Sequence, residues 1–271
     1  MISSPIKWVG GKNQLLADLE GHLPNTFRTY FEPMFGGGAL FFRLHQRRLL
    51  LNAVLSDTNE ELMAAYTVIR DDVEGLIKTL LTLPFSDMSR NRYEEIRALT
   101  YKDPMWVAAR FIYLNRLGFN GLYRVNRKGE FNVPYGTYTN PTVCYPDRLR
   151  TASVALKGAL LSSVSFDDIV VTIASGDFVY FDPPYFPVSE TAKFTSYTRG
   201  GFGDADQIQL AKVAHELKQR GVHVMLSNSD VPEVRSLYKG FHFHPIMARR
   251  SVNSVGSKRG RVPELIITSY E

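Results

Sequence analysis

The tetrapeptide Asp182-Pro183-Pro184-Tyr185 follows directly on the apolar run Phe178-Val179-Tyr180-Phe181. A short apolar run stopped by two prolines reads as a buried strand ending at a rigid elbow, because proline fixes φ and brings no N–H to a ladder. The elbow holds one carboxylate and one aromatic ring side by side. That pair suits chemistry on an aromatic amine: the carboxylate and a nearby carbonyl accept the amino hydrogens while the tyrosine ring stacks on the base. Taken alone, the four residues also describe a proline turn after a core strand with a solvated Asp.

Glycine-bearing segments nearer the N-terminus could serve a ligand of this chemistry. Ile6-Lys7-Trp8-Val9-Gly10-Gly11-Lys12 leads into 13–23, where Leu15, Leu16, Leu19 and Leu23 recur at helical spacing. Tyr30-Phe31-Glu32-Pro33-Met34-Phe35-Gly36-Gly37-Gly38 reads as a strand and glycine loop, with a helix after it. Three consecutive glycines follow from propensity in neither element, so they mark a tight or ligand-apposed turn. A second strand over 49–55 ends in Ser56-Asp57-Thr58-Asn59. Asp57 lies 19 positions after Gly38, close to the ~20 at which doubly wound nucleotide folds place an acid on ribose hydroxyls. The loop is not G-x-G-x-x-G, which disfavours a dinucleotide oxidoreductase.

Between about 60 and 160 the pattern changes. Segments 60–81 and 93–117 read as amphipathic helices, and 120–138 as a hairpin turning at Arg127-Lys128-Gly129. After 160 the alternation of strand and helix resumes. The Phe178 strand is followed by a Gly- and aromatic-rich loop over 186–203 and a helix from about Asp206. Asp204 with Gln207 suggests a capping box, and Gly221 a helix stop. Two further strands span 222–227 and 264–269. The chain therefore reads as an α/β sequence interrupted by a different unit.

With 271 residues, one large or two modest domains are expected. A net charge of +5 and a pI near 9.2 agree with a polyanionic partner without requiring one. Cys144 is the only cysteine, which excludes an internal disulfide and a cysteine-rich zinc site and suits a reducing cytoplasm. No apolar stretch approaches the ~18 residues of a membrane span, and the N-terminus lacks the h-region of a signal peptide. The expectation is a protein neither secreted by that route nor membrane-spanning.

Asp-Pro-Pro-Tyr resembles the catalytic motif of the amino-methyltransferases of DNA. Cytosine-N4 members usually carry Ser at the first position and a related protein-glutamine group Asn, so Asp182 favours adenine. With the other motifs in the same order, most of the chain resembles the Dam-like D12 class of DNA adenine-N6 methyltransferases. The resemblance implies an α/β fold of the Rossmann-like class I methyltransferase type with an inserted helical and β-hairpin DNA-recognition domain. Residues 1–59 and 160–271 would form the catalytic domain that binds S-adenosyl-L-methionine, and 60–159 the target-recognition domain.

Carried over residue by residue, the resemblance implies cofactor contacts at Trp8, Lys12, Phe35, Gly36, Gly38 and Asp57, and at Asp182 where cofactor and target adenine meet. A Gly-Asp-Phe triplet that frames the cofactor's adenine in many relatives is matched here by Val164-Ser165-Phe166-Asp167, in which Phe166 fits and Ser165 does not. The stretch from Leu114 through Arg116 to Asn126, continuing from Gly129 to Gly136, resembles the family's target-recognition hairpin. It implies DNA contacts by Lys7, Arg116, Leu122, Arg124 and Pro134, wedging by Phe119 and backbone support from Asn120, the pattern of members that read GATC. Thr137 stands where several relatives carry a phosphate-binding Arg. A hairpin bearing Arg and an aromatic suits this physically, since guanidinium pairs bidentately with guanine and a ring wedges into a base stack.

The implied reaction is transfer of a methyl group to N6 of an adenine flipped out of duplex DNA, in a GATC or GAT-containing site. That amine is a poor nucleophile because its lone pair is delocalised into the ring. Hydrogen bonds to Asp182 and the Pro183 carbonyl would push the nitrogen toward sp3 character, and in-line alignment with the sulfonium methyl would supply much of the acceleration. Tyr185 is the expected stacking partner for the flipped base. No covalent intermediate and no metal are required. His242 and His244 alternate with aromatics as a metal pair would, but lack an evident third ligand. Lys258-Arg259-Gly260-Arg261 reads either as a solvated loop or as a phosphate contact. The expected partner is double-stranded DNA rather than a membrane, the chain a monomer or weak dimer, and the compartment a bacterial or archaeal cytoplasm, or a phage's host. A non-catalytic DNA-binding regulator and an RNA or protein methyltransferase remain the alternatives.

Overall fold

The computed structural model describes residues 4–50, 52–187, 202–249 and 261–271. In chain order the elements begin with α1 (Leu16–Gly21), β1 (Tyr30–Glu32), α2 (Ala39–Gln46), β2 (Ala53–Ser56), α3 (Glu60–Asp71) and α4 (Val73–Leu80). There follow α5 (Arg90–Ala98), α6 (Pro104–Leu117), α7 (Pro146–Leu156), β3 (Leu160–Ser162), α8 (Phe166–Ile169) and β4 (Phe178–Phe181). The chain ends with α9 (Asp204–Gln219), β5 (His223–Ser229), α10 (Pro232–Leu237), β6 (His242–Arg249) and β7 (Arg261–Thr268). These elements fall into two compact units. One contains residues 1–12, 36–49 and 57–163; the other contains 13–35, 50–56 and 164–271.

The second unit carries six strands in the order β2-β1-β4-β5-β7-β6. The first four run parallel, with Phe31 opposite Val54 on one side and Val179 on the other, and Val179 opposite Val224. Strand β7 enters antiparallel between β5 and β6. Parallel strands are covered on both faces and read as continuous apolar runs, which is why every residue of β4 is buried. Its apolar core gathers Phe31, Val179, Phe181, Val224, Leu226 and Ile267 with the inner faces of α8 and α9. The chain's strand order reverses between β1 and β4. In open α/β sheets ligands bind outside the carboxyl ends of the strands at such a reversal, and Asp182 follows directly on β4.

The first unit is helical. Residues Ala108 to Leu117 of α6 are all buried, so this helix is apolar all round and forms the unit's centre, against which α3, α4 and α5 pack. The expected single helices are broken. Segment 60–81 is α3 and α4 separated at Asp72, which leaves helical geometry (φ −145°) and accepts the Gly75 N–H at 3.0 Å. Segment 93–117 divides before Asp103, whose carboxylate caps Trp106 N–H while Pro104 occupies the first turn. The strand expected over 49–55 is confined to Ala53–Ser56. The α9 cap also falls one residue earlier than Asp204 with Gln207: the Gly203 N–H donates to Asp206 Oδ2 at 2.7 Å, which leaves Gln207 for another task. Strand β3 belongs to this first unit.

Candidate active site

In the first unit the glycine turn is enclosed by side chains from three directions. Gly36 and Gly38 adopt left-handed backbone (φ 46° and 62°), conformations that L side chains rarely enter. A Cβ on Gly36 would lie 2.6 Å from Trp8 Cδ1 and Nε1, and one on Gly37 3.0 Å from Trp8 Cβ. The run of three glycines thus answers two needs, a reversed backbone and the close approach of an indole. The Gly36 N–H donates to Asp57 Oδ2 at 2.9 Å, and Tyr66 Oη donates to the Gly36 carbonyl at 3.1 Å.

Asp57 also accepts the Asn59 N–H on Oδ1 at 3.0 Å. Burial pushes its carboxyl above the ordinary range, against the opposing pull of the Asn59 and Gly36 N–H groups. Each carboxylate oxygen has more than one acceptor site, so the side chain that ties the turn keeps capacity for hydroxyls of a ligand. Lys12 is buried and its Nζ donates to the Gly10 carbonyl at 2.7 Å. Phe35, in the second unit, is buried, and its N–H donates to the Ser56 carbonyl at 2.9 Å.

The hairpin turns where the sequence indicated. Asn126 gathers it, its Oδ1 accepting the Lys128 and Glu130 N–H groups while Gly129 takes φ 81°. Its pairing is sparse, with single bridges Gly118–Tyr135 and Val125–Phe131. Phe119 is exposed and Asn120 is left-handed at φ 54°. Leu122 is partly buried, and Pro134 is exposed. Exposed Arg124 folds back on the opposite strand, its Nε on Asn132 Oδ1 at 2.7 Å and its Nη2 on the Asn132 carbonyl at 3.1 Å.

Two more of the expected DNA contacts are engaged within the protein. Lys7 is pinned through its backbone by Asn115, which accepts its N–H at 2.9 Å and donates to its carbonyl at 2.7 Å. Its ammonium reaches the Arg116 carbonyl at 3.3 Å and lies 4.9 Å from the Tyr138 ring centre. Burial, then the charge of Arg116, holds its pKa below the ordinary lysine value. Arg116 itself is buried, donating from Nη2 to the Pro5 carbonyl at 2.6 Å with its guanidinium over Tyr145. In this geometry Arg116 anchors the N-terminal segment.

The second unit holds the elbow. Pro183 and Pro184 have no N–H to donate, so side chains must supply the order that a ladder would otherwise impose. Gln207 of α9 donates to the Pro184 carbonyl at 2.7 Å and accepts from Asn228 Nδ2 at 3.1 Å. Asn228 Oδ1 accepts the Phe186 N–H at 2.9 Å, and Ser229 Oγ donates to the Phe186 carbonyl at 2.7 Å. Tyr185 Oη donates to Glu264 Oε2 at 3.0 Å. Burial first, then Asp182 and Glu264, raise the Tyr185 phenol far above its ordinary pKa, so it remains a neutral donor. Below the sheet's carboxyl end, buried Glu32 accepts from Tyr30 Oη at 2.7 Å, and Tyr180 Oη pairs with Ser227 Oγ at 2.5 Å.

Phe166 follows Ser165, which caps α8 by accepting the Asp168 N–H, and its ring is buried in the core of this unit. His244 stacks on His22 with ring centres 3.9 Å apart, and among the described residues no three His, Cys, Asp or Glu side chains group as metal ligands. Lys258, Arg259 and most of the loop over 186–203 lie outside the described residues. No motif marks Asn228 or Glu264, and Gln207 stands out in the sequence only as a cap partner. All three reach the elbow from 23 to 79 positions away, and no local periodicity connects them to it.

An elbow after a strand at a sheet reversal lies where open α/β sheets bind their ligands, and comparison with known proteins gives the class to which the chain belongs. The family model for D12 class N6 adenine-specific DNA methyltransferase matches residues 8–252. A type II methyltransferase of Lactococcus lactis subsp. cremoris, M1.LlaDCHI, is 42% identical over 97% of this chain and 94% of its own. The type II methyltransferase M.MjaIII of Methanocaldococcus jannaschii is 40% identical over 98% of both chains, and the DNA adenine methylase of Escherichia coli K12 is 34% identical over 96% of this chain and 93% of its own. The chain belongs to the D12 class of N6 adenine-specific DNA methyltransferases. The mixed α/β sheet is accordingly a Rossmann-like methyltransferase sheet, as the resemblance implied. Among the described residues no helix is long and apolar enough to cross a membrane.

Proposed function

We propose that the chain transfers the methyl group of S-adenosyl-L-methionine to N6 of an adenine flipped out of double-stranded DNA, within GATC or a site containing GAT. The observation that supports this most directly is the elbow of Asp182 and Pro183 at the end of β4. The Pro184 carbonyl is engaged by Gln207, and we assign the amine's hydrogens to the Asp182 carboxylate and the Pro183 carbonyl. Drawing electron density back onto N6 prepares it for in-line attack, and the cofactor supplies an electrophilic sulfonium methyl. Tyr185 stacks on the base.

The glycine turn fits such a cofactor: Asp57 keeps acceptor capacity for ribose hydroxyls, and Gly36 lets the Trp8 indole pack against the turn where a Cβ would collide with it. Trp8, Lys12, Phe35 and Phe166 complete the proposed cofactor set. Residues 1–59 and 160–271 carry catalysis and 60–159 target recognition, with Lys7, Leu122, Arg124 and Pro134 as base readers, Phe119 as wedge and Asn120 as support. Arg116 is the further DNA contact, its bond to the Pro5 carbonyl opening on binding. The working form is a monomer or weak dimer, acting in the cytoplasm of a prokaryote or of a phage's host. A restriction-modification setting, as the names of two relatives suggest, is part of the proposal.

Asp182→Ala tests the chemistry. It is expected to bind duplex DNA normally and to lose single-turnover methyl transfer by about two orders of magnitude or more, because its carboxylate acts at the reacting nitrogen. A variant within threefold of wild type would remove Asp182 from the mechanism. Mapping methylated adenines on a plasmid tests the site, and competition with RNA and protein acceptors tests the polymer.

A further inference from the structure

Tyr185 sits between two residues of the elbow whose backbone is held by side chains. Its neighbours are fixed by the Gln207 bond to Pro184 and by the Asn228 and Ser229 bonds to Phe186. What remains is the side chain's own rotation, two torsions that set the plane of the ring. Stacking depends on that plane, since aromatic attraction falls away when the faces are not offset and parallel or edge-on. At the far end of the ring Glu264 Oε2 accepts the hydroxyl at 3.0 Å, and Ser227 is a second side-chain partner of the same hydroxyl.

Glu264 is itself rigidly based. It lies on β7 with Ser229 of β5 as its partner on one side and Ile246 of β6 on the other, so ladders on both sides fix its backbone. A hydrogen bond from a neutral phenol to a carboxylate is among the stronger kinds, and the strongly raised phenol pKa agrees with a proton that stays on Tyr185.

We propose that Glu264 is a positioning residue for methyl transfer: from the middle of β7 it holds the Tyr185 hydroxyl, and with it the ring plane on which the flipped adenine stacks. This rests on the reading of Tyr185 as stacking partner. Glu264 touches no reacting atom, so its effect passes through the ring. The bland alternative is that the carboxylate only satisfies a buried hydroxyl and adds stability.

Single-turnover methylation of a duplex the wild type modifies, with cofactor and DNA affinities and thermal midpoints measured alongside, separates the two. Glu264→Leu is expected to lose roughly tenfold or more in the transfer rate, as small misplacements do, with both affinities nearly unchanged. Glu264→Gln keeps an acceptor oxygen and should recover most of the rate. Tyr185→Phe, which keeps the ring and the packing, should match Glu264→Leu, and the double variant should fall no further than either. With 2-aminopurine at the target position, loss of the clamp should raise emission from the unstacked base. A Glu264→Leu or Tyr185→Phe enzyme within threefold of wild type, or losses that multiply in the double variant, overturns the proposal. Should Glu264→Leu fail to fold, Glu264→Gln and Tyr185→Phe carry the test. Tyr185→Ala with wild-type rate would instead sink the stacking assignment on which the proposal rests.

Discussion

Arg124 spends two donors on one neighbour, Asn132, across the hairpin. A guanidinium is planar and always charged, so a partner that fixes its fork in advance lowers the ordering cost of pairing with a base. As a guanine reader it would contribute about 1 to 3 kcal/mol of discrimination, or roughly 5- to 150-fold. Arg124→Ala is therefore expected to relax the choice at one base pair while methyl transfer continues. Sequencing of methylated adenines on a plasmid treated with the variant checks this, and an unchanged site preference would exclude Arg124 as a reader.

At the scale of the element, the glycine turn and the β6 edge each make a separate prediction. Gly36→Ala places a methyl group 2.6 Å from the Trp8 ring in a left-handed backbone. Gly129→Ala meets the same backbone penalty, about 1 to 2 kcal/mol, with nothing within 4 Å of the added carbon. Both should lower the thermal midpoint, but only Gly36→Ala should also weaken calorimetric binding of S-adenosyl-L-methionine, by roughly an order of magnitude. Equal effects on binding would detach the turn from the cofactor. On β6, His244 stacks on His22, and its Nε2 meets Thr268 Oγ1 at 3.0 Å. Burial, then His22 and His242, push its pKa below the ordinary histidine value. The unfolded chain then takes this proton at a higher pH than the folded one, so stability falls as pH drops below about 6.5 and levels off once the folded imidazole also titrates. Urea melts from pH 8 to 5 should reveal that loss, reduced in His244→Phe, and a profile identical to wild type would rule the pair out as its source.

For the whole molecule, a net charge of +5 adds a long-range attraction to DNA that carries no sequence information. Affinity for any duplex should fall as salt rises, with each lost phosphate contact lowering the slope by about 0.9. Lys258→Ala and Arg259→Ala are expected to weaken binding to all sequences alike and to flatten that slope without changing which adenine is methylated. Filter binding across a salt series reads both, and an unchanged slope would make that basic run a solvated one.

The features legible in the chain are those whose cause is local. Two prolines stop a strand whatever surrounds it, Gly36 and Gly38 suit a left-handed backbone that most side chains avoid, and Asn126 to Gly129 turn a hairpin through bonds within five residues. Asp57 was legible too, because strand length and helix length set its distance from the glycines. Asp72 and Asp103 carried the capping signals that break the long helices, though apolar periodicity ran through both breaks and masked them. What the tertiary structure alone decided is which distant side chains hold these candidate residues. Asn115 reaches Lys7 over 108 positions, Arg116 reaches Pro5 over 111, and Glu264 reaches Tyr185 over 79. Such meetings follow from sheet order, strand register and the packing of whole helices, and each is a sum over many apolar contacts that no single residue type announces.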